Sequence, residues 1–252
     1  MRYAVEIAYD GTPFHGWQRQ QNAISVQQEI EESLSTLLRG EYKIQGCGRT
    51  DTGVHAEQYF FHFDGDLIDE NKFVYSLNQI LKDEVTVLHI YHVGADFHSR
   101  FDATSRAYRY AIHQKKNPFI SKWSWLMNRA LDVDKMNEAC SLLLKYEDFG
   151  SFCKSKSQNK TNICRLSHAH WVKTEGGLEF EIKADRFLRN MVRAIVGTML
   201  EIGLNKMNLE EFKTVIEAKD RSAAGFSVPA HGLFLTEVVY DKSNWKLIEQ
   251  GR

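Results

Sequence analysis

Residues 2–9, RYAVEIAY, alternate apolar and polar side chains, the two-residue period of a half-buried strand. A loop rich in Gly and Gln follows, DGTPFHGWQRQQNAI, and the period then becomes helical. Ser25 stands at an N-cap position with Gln28 at capping-box spacing. Val26, Ile30, Leu34, Leu37 and Leu38 form one apolar stripe that Gly40 ends. The same criteria predict strands over 42–48 and 57–64, a helix over 69–82 and a strand over 85–93. The order β-α-β-β-α-β then recurs. A strand is predicted over 105–113, a helix over 132–146, and strands over 163–173 and 177–184 joined at Thr174-Glu175-Gly176. Helices over 186–203 and 208–219 and a closing strand over 232–240 complete the chain.

Two such units in tandem predict an α+β protein of two ferredoxin-like halves, residues 1–98 and 99–252, with an antiparallel sheet and helices on one face. The other face of such a sheet is open to a ligand. RNA-recognition modules use this plan with stacked aromatics, but no RNP1 sequence is present, which excludes an ordinary module of that type.

Composition adds little: 252 residues, 43% hydrophobic and 26% charged, as in a soluble globular protein. No run of eighteen apolar residues exists, and the N-terminus alternates like a strand where a signal peptide would be apolar, so a cytoplasmic protein is expected. Cys47, Cys140, Cys153 and Cys164 are scattered, without a Cys-x-x-Cys pair. Cys153, Cys164, His168 and His170 have the wrong spacing for a zinc module, and no metal is expected. Charge is more telling. Residues 1–98 carry a net −8, residues 99–200 a net +8 and residues 201–252 a net −1, within a formal total of −1. A basic middle inside a neutral whole suits a polyanion such as nucleic acid.

The candidate chemistry lies in GCGRTDTGVHA, Gly46 to Ala56, where Gly46, Gly48 and Gly53 bracket Asp51 between two predicted strands. Asp51-Thr52-Gly53 matches the triplet of an aspartic protease, but that chemistry needs two aspartates sharing a proton, and no second Asp-Thr/Ser-Gly is present. A phosphate loop is excluded because Val54-His55 stands where Lys-Ser/Thr is required. A glycosidase needs a second carboxylate, and Glu57, on the following strand, is poorly placed for it. A turn-capping Asp with Arg49 as a surface partner is the bland alternative.

GRTDTGVHA closely resembles the catalytic loop of the TruA family of tRNA pseudouridine synthases, G-R-T-D-x-G-V-H-A. Four further segments resemble family motifs in order: AYDGTPFHGWQRQ (8–20), DFHSRFDATSRAYRY (96–110), FLRNMVRAIVGTMLEIG (187–203) and KDRSAAGFSVPAHGLFL (219–235). In the last, Val228-Pro229 stands where Ala-Pro is commoner. The resemblance implies two ferredoxin-like halves forming one sheet with the active cleft between them. It implies Asp51 as the catalytic carboxylate, with Thr52 in the variable position. It places Arg193 as the partner of the acid, with Arg49 a second candidate cation, and Tyr108 against the target uridine. Arg106, Tyr108 and Tyr110 share one strand face, and Tyr110 is read as core. His55 is open between general base and loop anchor. The implied substrate is the anticodon stem-loop of tRNA, at uridines near positions 38, 39 and 40, acted on by a homodimer without metal or cofactor. A non-catalytic RNA-binding module with the same sheet is the rival reading.

If the basic middle meets tRNA phosphates, affinity falls steeply with salt: neutralising about six phosphates gives a log–log slope near −5. Replacing Lys154, Lys156 and Lys160 together flattens that slope. An unchanged slope in the triple variant removes this stretch from the RNA surface.

Overall fold

The computed structural model describes residues 1–155, 157 and 159–250; Lys156 of the basic stretch lies outside the described residues. The chain is a mixed α+β protein with mostly antiparallel strand pairing and five α-helices among the described residues. It forms two compact units, Met1–Thr104 with Leu235–Arg252, and Ser105–Phe234.

In the first unit β1 (Arg2–Tyr9) pairs antiparallel with both β3 (His55–Asp64) and β4 (Val85–Val93), so that Val5 faces Phe61 on one side and Ile90 on the other. The two-residue β2 (Gln45–Gly46) pairs with β3. The strand order along the sheet here is β4-β1-β3, and β2 pairs with β3 off that path. Helix α1 (Val26–Leu38) buries Val26, Ile30 and Leu34 from the predicted stripe. Each fully buried side chain of this kind contributes roughly 1.5–3 kcal/mol. Ser25 accepts a hydrogen bond from the Gln28 amide as expected of an N-cap, but the Gln28 side chain turns to Glu32, so the capping box is half made. The helix ends one residue early: Arg39 takes the left-handed position expected at Gly40, with φ 54°. Helix α2 is much shorter than the predicted 69–82. A 3-10 turn at Glu70–Lys72 leads into Phe73–Asn78. Asn78 then pairs both ways with the Val87 backbone and ties the chain to β4.

In the second unit β5 (Ser105–His113) pairs with β8 (Gly177–Ala184), and β8 with β7 (Leu166–Thr174). The β7–β8 hairpin closes with Thr174 opposite Gly177. The short β6 (Trp125–Leu126) lies parallel to β5; two residues carry no readable period. Helix α3 (Val133–Leu143) is capped by Asp132, and α5 (Leu209–Ala218) by a complete Asn208–Glu211 capping box. Packed against both runs α4 (Met191–Gly203), with every residue buried except Arg193 and Glu201. A helix apolar on all sides belongs in the interior. The prediction started α4 at residue 186. Asn190 sits at φ 66° and breaks the backbone there, its amide donating to Ser227 Oγ at 2.6 Å, so Arg186 to Arg189 precede the helix. Strand β9 (Leu233–Val239) contains the boundary between the units, and a short β10 (Lys246–Leu247) adds to β4. No helix of the described residues is long and apolar enough to cross a membrane.

One buried polar group makes stability pH-dependent. His62, 5% exposed, accepts from the Ser99 amide on Nδ1 at 3.2 Å and lies 2.7 Å from Ser99 Oγ. Burial, with the neighbouring His98 and Arg2, lowers its pKa from 6.5 to about 4. The unfolded chain therefore takes up a proton that the folded one refuses. The contribution is complete above pH 6.5 and is lost as pH falls toward 4, by up to about 3 kcal/mol. Urea unfolding of the wild type should show that fall, and His62→Gln should show a flatter profile over the same range.

Candidate active site

The Asp51 loop is held from below by aromatic rings. Trp17 stacks on Tyr59 with ring centroids 4.0 Å apart, and Tyr9 meets Tyr59 edge-on at 5.6 Å. The Tyr59 hydroxyl donates to the Gly48 carbonyl, and burial raises its pKa well above the ordinary phenol value, so it stays a donor. Tyr9 Oη lies 2.9 Å from Thr50 Oγ1 in a buried contact. The residues flanking Asp51 are thus fixed by their own side chains and by the strands beneath.

From the side the loop is clasped by the segment from Asp10 to Trp17. Trp17 N–H donates to the Thr50 carbonyl, Gly53 N–H to the Phe14 carbonyl, and Val54 N–H to the Asp51 carbonyl across the turn. These backbones lie so close that side chains do not fit between them. A Cβ on Gly11 would stand 2.0 Å from the Val54 carbonyl oxygen, and one on Gly16, at φ 84°, 2.5 Å from that of Thr50. Asp51 is left half-exposed at the tip with Thr52 exposed beside it. Arg49 is exposed and donates from Nε to Gln18 Oε1 at 3.2 Å. His55 is buried, its Nδ1 2.9 Å from Asp10 Oδ1 and 3.1 Å from the Gly11 amide nitrogen.

Tyr108 and Arg193 belong to the second unit. Tyr108, half-buried opposite Ile182, is met edge-on by Phe187 at 5.1 Å. Two residues on, Tyr110 is fully buried and its hydroxyl donates to the Pro229 carbonyl at 2.9 Å. The two tyrosines of one strand face thus have different surroundings, and Tyr110 is core. Arg193 is half-buried on α4, where only it and Glu201 are not buried. Its Nε donates to the Val228 carbonyl at 2.7 Å, and the Val228 amide donates back to the Arg193 carbonyl at 3.2 Å. The segment carrying Val228 approaches α4 backbone to backbone: a Cβ on Gly197 would stand 1.8 Å from the Phe226 carbonyl oxygen. Because Val228 holds Arg193 through its main chain, valine in place of alanine leaves this clamp intact.

Asp51 and Arg49 lie in the first unit, and Tyr108 and Arg193 in the second. Sequence reasoning singled out none of Gly11, Gly16, Trp17 or Tyr59; the available signal is two glycines five apart in a loop with an aromatic residue beside the second. The four cysteines are buried free thiols, and burial pushes Cys140 and Cys164 up to about 12, which makes both poor ligands and nucleophiles. No group of three or more potential metal ligands occurs among the described residues. In the basic stretch, Lys154 lines an open polar cavity of about 390 Å³ with Asn159, Asn162, Lys219 and Arg221.

Gly16 tests the clasp. Gly16→Ala forces a side chain into the left-handed region and onto Thr50, and should lower stability by about 1–3 kcal/mol in denaturant unfolding. Thr52→Ala, on the exposed side of the same turn, should stay within about 0.5 kcal/mol of wild type.

Residues 139–241 match the family model described as tRNA pseudouridine synthase. The chain is 47% identical over 243 residues to the protein named tRNA pseudouridine synthase A of Bacteroides thetaiotaomicron, covering 95% of this chain and 90% of the relative. It is 38% identical over 246 residues to that of Bacillus subtilis, covering 96% and 100%. Against that of Staphylococcus aureus the identity is 36% over 246 residues, covering 96% and 93%. With such identity carried along almost the whole of both partners, this chain belongs to the tRNA pseudouridine synthase A family.

Proposed function

We propose that this protein is an isomerase that converts uridine to pseudouridine in tRNA, with Asp51 as the carboxylate that carries the chemistry. The observation that carries the reading is the near full-length likeness to relatives named tRNA pseudouridine synthase A. The clasped turn that presents Asp51 supports the residue assignment. The reaction breaks the bond from N1 to C1′, turns the uracil and forms a bond from C5 to C1′. The hydrogen leaves C5 and N1 gains one, so nothing is oxidised or reduced, and the proposal needs no cofactor or metal. An ionised Asp51 can attack C1′ or C6, or take the 2′ proton; each demands a fixed anion beside a uridine drawn out of its stack, at a cost of roughly a few kcal/mol.

Tyr108 supplies the aromatic plane for that uridine, worth roughly 1–3 kcal/mol. Arg193 is the cation assigned to keep Asp51 ionised, its guanidinium already oriented by Val228. Arg49 is a second, exposed cation on the Asp51 loop. The proposal takes the substrate as the anticodon stem-loop at positions 38, 39 and 40, and the working form as a cytoplasmic homodimer. It includes two ferredoxin-like halves of one sheet with a central catalytic cleft, residues 1–98 carrying Asp51 and 99–252 carrying Tyr108 and the basic RNA surface. The β4-β1-β3 order of the first unit, with β2 pairing on β3 and the chain running β1-α1-β2-β3-α2-β4, supports that plan.

Incubation with unmodified tRNA and no added cofactor, followed by nucleoside analysis, should yield pseudouridine; RNA that is bound but unchanged would favour a binding module instead. The Tyr108 series separates ring from hydroxyl. If stacking is the role, Tyr108→Phe is nearly as active as wild type while Tyr108→Leu is impaired. Two dead variants that still bind tRNA give the hydroxyl a chemical or orienting role, and two fully active ones remove Tyr108 from the site.

A further inference from the structure

Asp10 and His55 meet at the base of the clasp. Asp10 follows β1, and its backbone amide donates to Glu84. Its Oδ1 accepts from the Thr12 amide at 2.9 Å and from Thr12 Oγ1, which marks it as an acceptor carboxylate. The same oxygen lies 2.9 Å from Nδ1 of His55, a residue 1% exposed at the start of β3. The Gly11 amide donates toward the same Nδ1 at 3.1 Å. Nδ1 cannot donate to the carboxylate and accept from the amide at once. The carboxylate is nearer and charged, so the proton belongs on Nδ1, pointing at Asp10. This contact ties the segment that clasps Asp51 to the strand that follows Asp51, one residue from the place where Gly11 meets Val54 backbone to backbone.

We infer that Asp10 and His55 form a buried strut that sets the position of the Asp51 carboxylate, and that both are positioning residues for the isomerisation. The inference rests on the proposed function. His55 acts through the loop and not on the uridine as a general base: it lies 1% exposed, and its Nδ1 is turned toward Asp10.

The test combines single-turnover pseudouridine formation, tRNA affinity and thermal unfolding. His55→Leu and Asp10→Ala should each slow the single-turnover rate by roughly 10- to 100-fold, the effect expected of a displaced reacting group. Affinity for tRNA should stay within about twofold, because it comes from contacts spread over a wide surface. The double variant should be no slower than the slower single one. His55→Asn, whose side-chain amide can donate to Asp10, should recover much of the rate. Thr12→Val, which removes only a neighbouring bond to Asp10, should leave it unchanged. Wild-type rates in folded His55→Leu or Asp10→Ala, or single losses that multiply in the double variant, overturn the strut. If His55→Leu does not fold, Asp10→Ala carries the test, since that side chain is 26% exposed. The ¹⁵N NMR signal of His55 adds a readout independent of activity: a protonated Nδ1 is expected, and an unprotonated one overturns the assignment. A wild type that binds tRNA without modifying it defeats the functional reading and leaves the NMR result to judge the strut.

Discussion

Two stretches of main chain, Gly11–Trp17 and Thr50–Val54, approach each other until only hydrogen fits between them at two points. Everything proposed for Asp51 depends on that approach. A carboxylate on a free turn would sample many positions, and each residue of backbone freedom costs roughly 1–2 kcal/mol to fix. Here the ordering is achieved in folding, by amides that cross between the stretches and by the Trp17–Tyr59 stack beneath them. The strut at Asp10 and His55 closes the same assembly from its buried end. Rigid support of a reacting group removes motion that the reaction would otherwise have to suppress at every turnover.

The second unit solves a related problem with a helix. An arginine on a helix as apolar as α4 is costly unless its charge is partnered and its plane is held. The exchange of main-chain and guanidinium bonds with Val228 holds that plane, and Gly197 lets the supporting segment lie against the helix. Glycine thus serves the same purpose in both units: it lets one backbone brace another that carries a charged side chain.

Strand positions with strong two-residue periods were legible in the sequence: 85–93 and 105–113 form as read, and 177–184 does too. Helix ends were less so, because they depend on particular side chains. Asn190 delays α4 and Asn78 cuts α2 short, and neither residue disturbs an apolar period. The strand expected over 42–48 is only Gln45–Gly46: the Cys47 amide still donates to the Phe60 carbonyl of β3, and the Gly48 carbonyl then accepts from the Tyr59 hydroxyl where the Asp51 loop begins. The candidacy of Asp51 was legible from its glycine bracket and its motif. The clasp was not, because it joins segments forty residues apart through main-chain atoms that leave little mark on residue type. That Tyr110 is core was read from the sequence, but the Pro229 carbonyl that accepts its hydroxyl was not.

Asp51→Asn tests the account most directly. Asparagine keeps the shape and suits a turn equally well, but it cannot be an anion. Binding arises from many phosphate and stacking contacts, so tRNA affinity should change little. Pseudouridine formation should fall by at least about 10⁴, some 5.5 kcal/mol of barrier at about 1.36 kcal/mol per decade. Wild-type turnover by the folded Asp51→Asn protein would contradict the assignment of Asp51 as the reacting carboxylate.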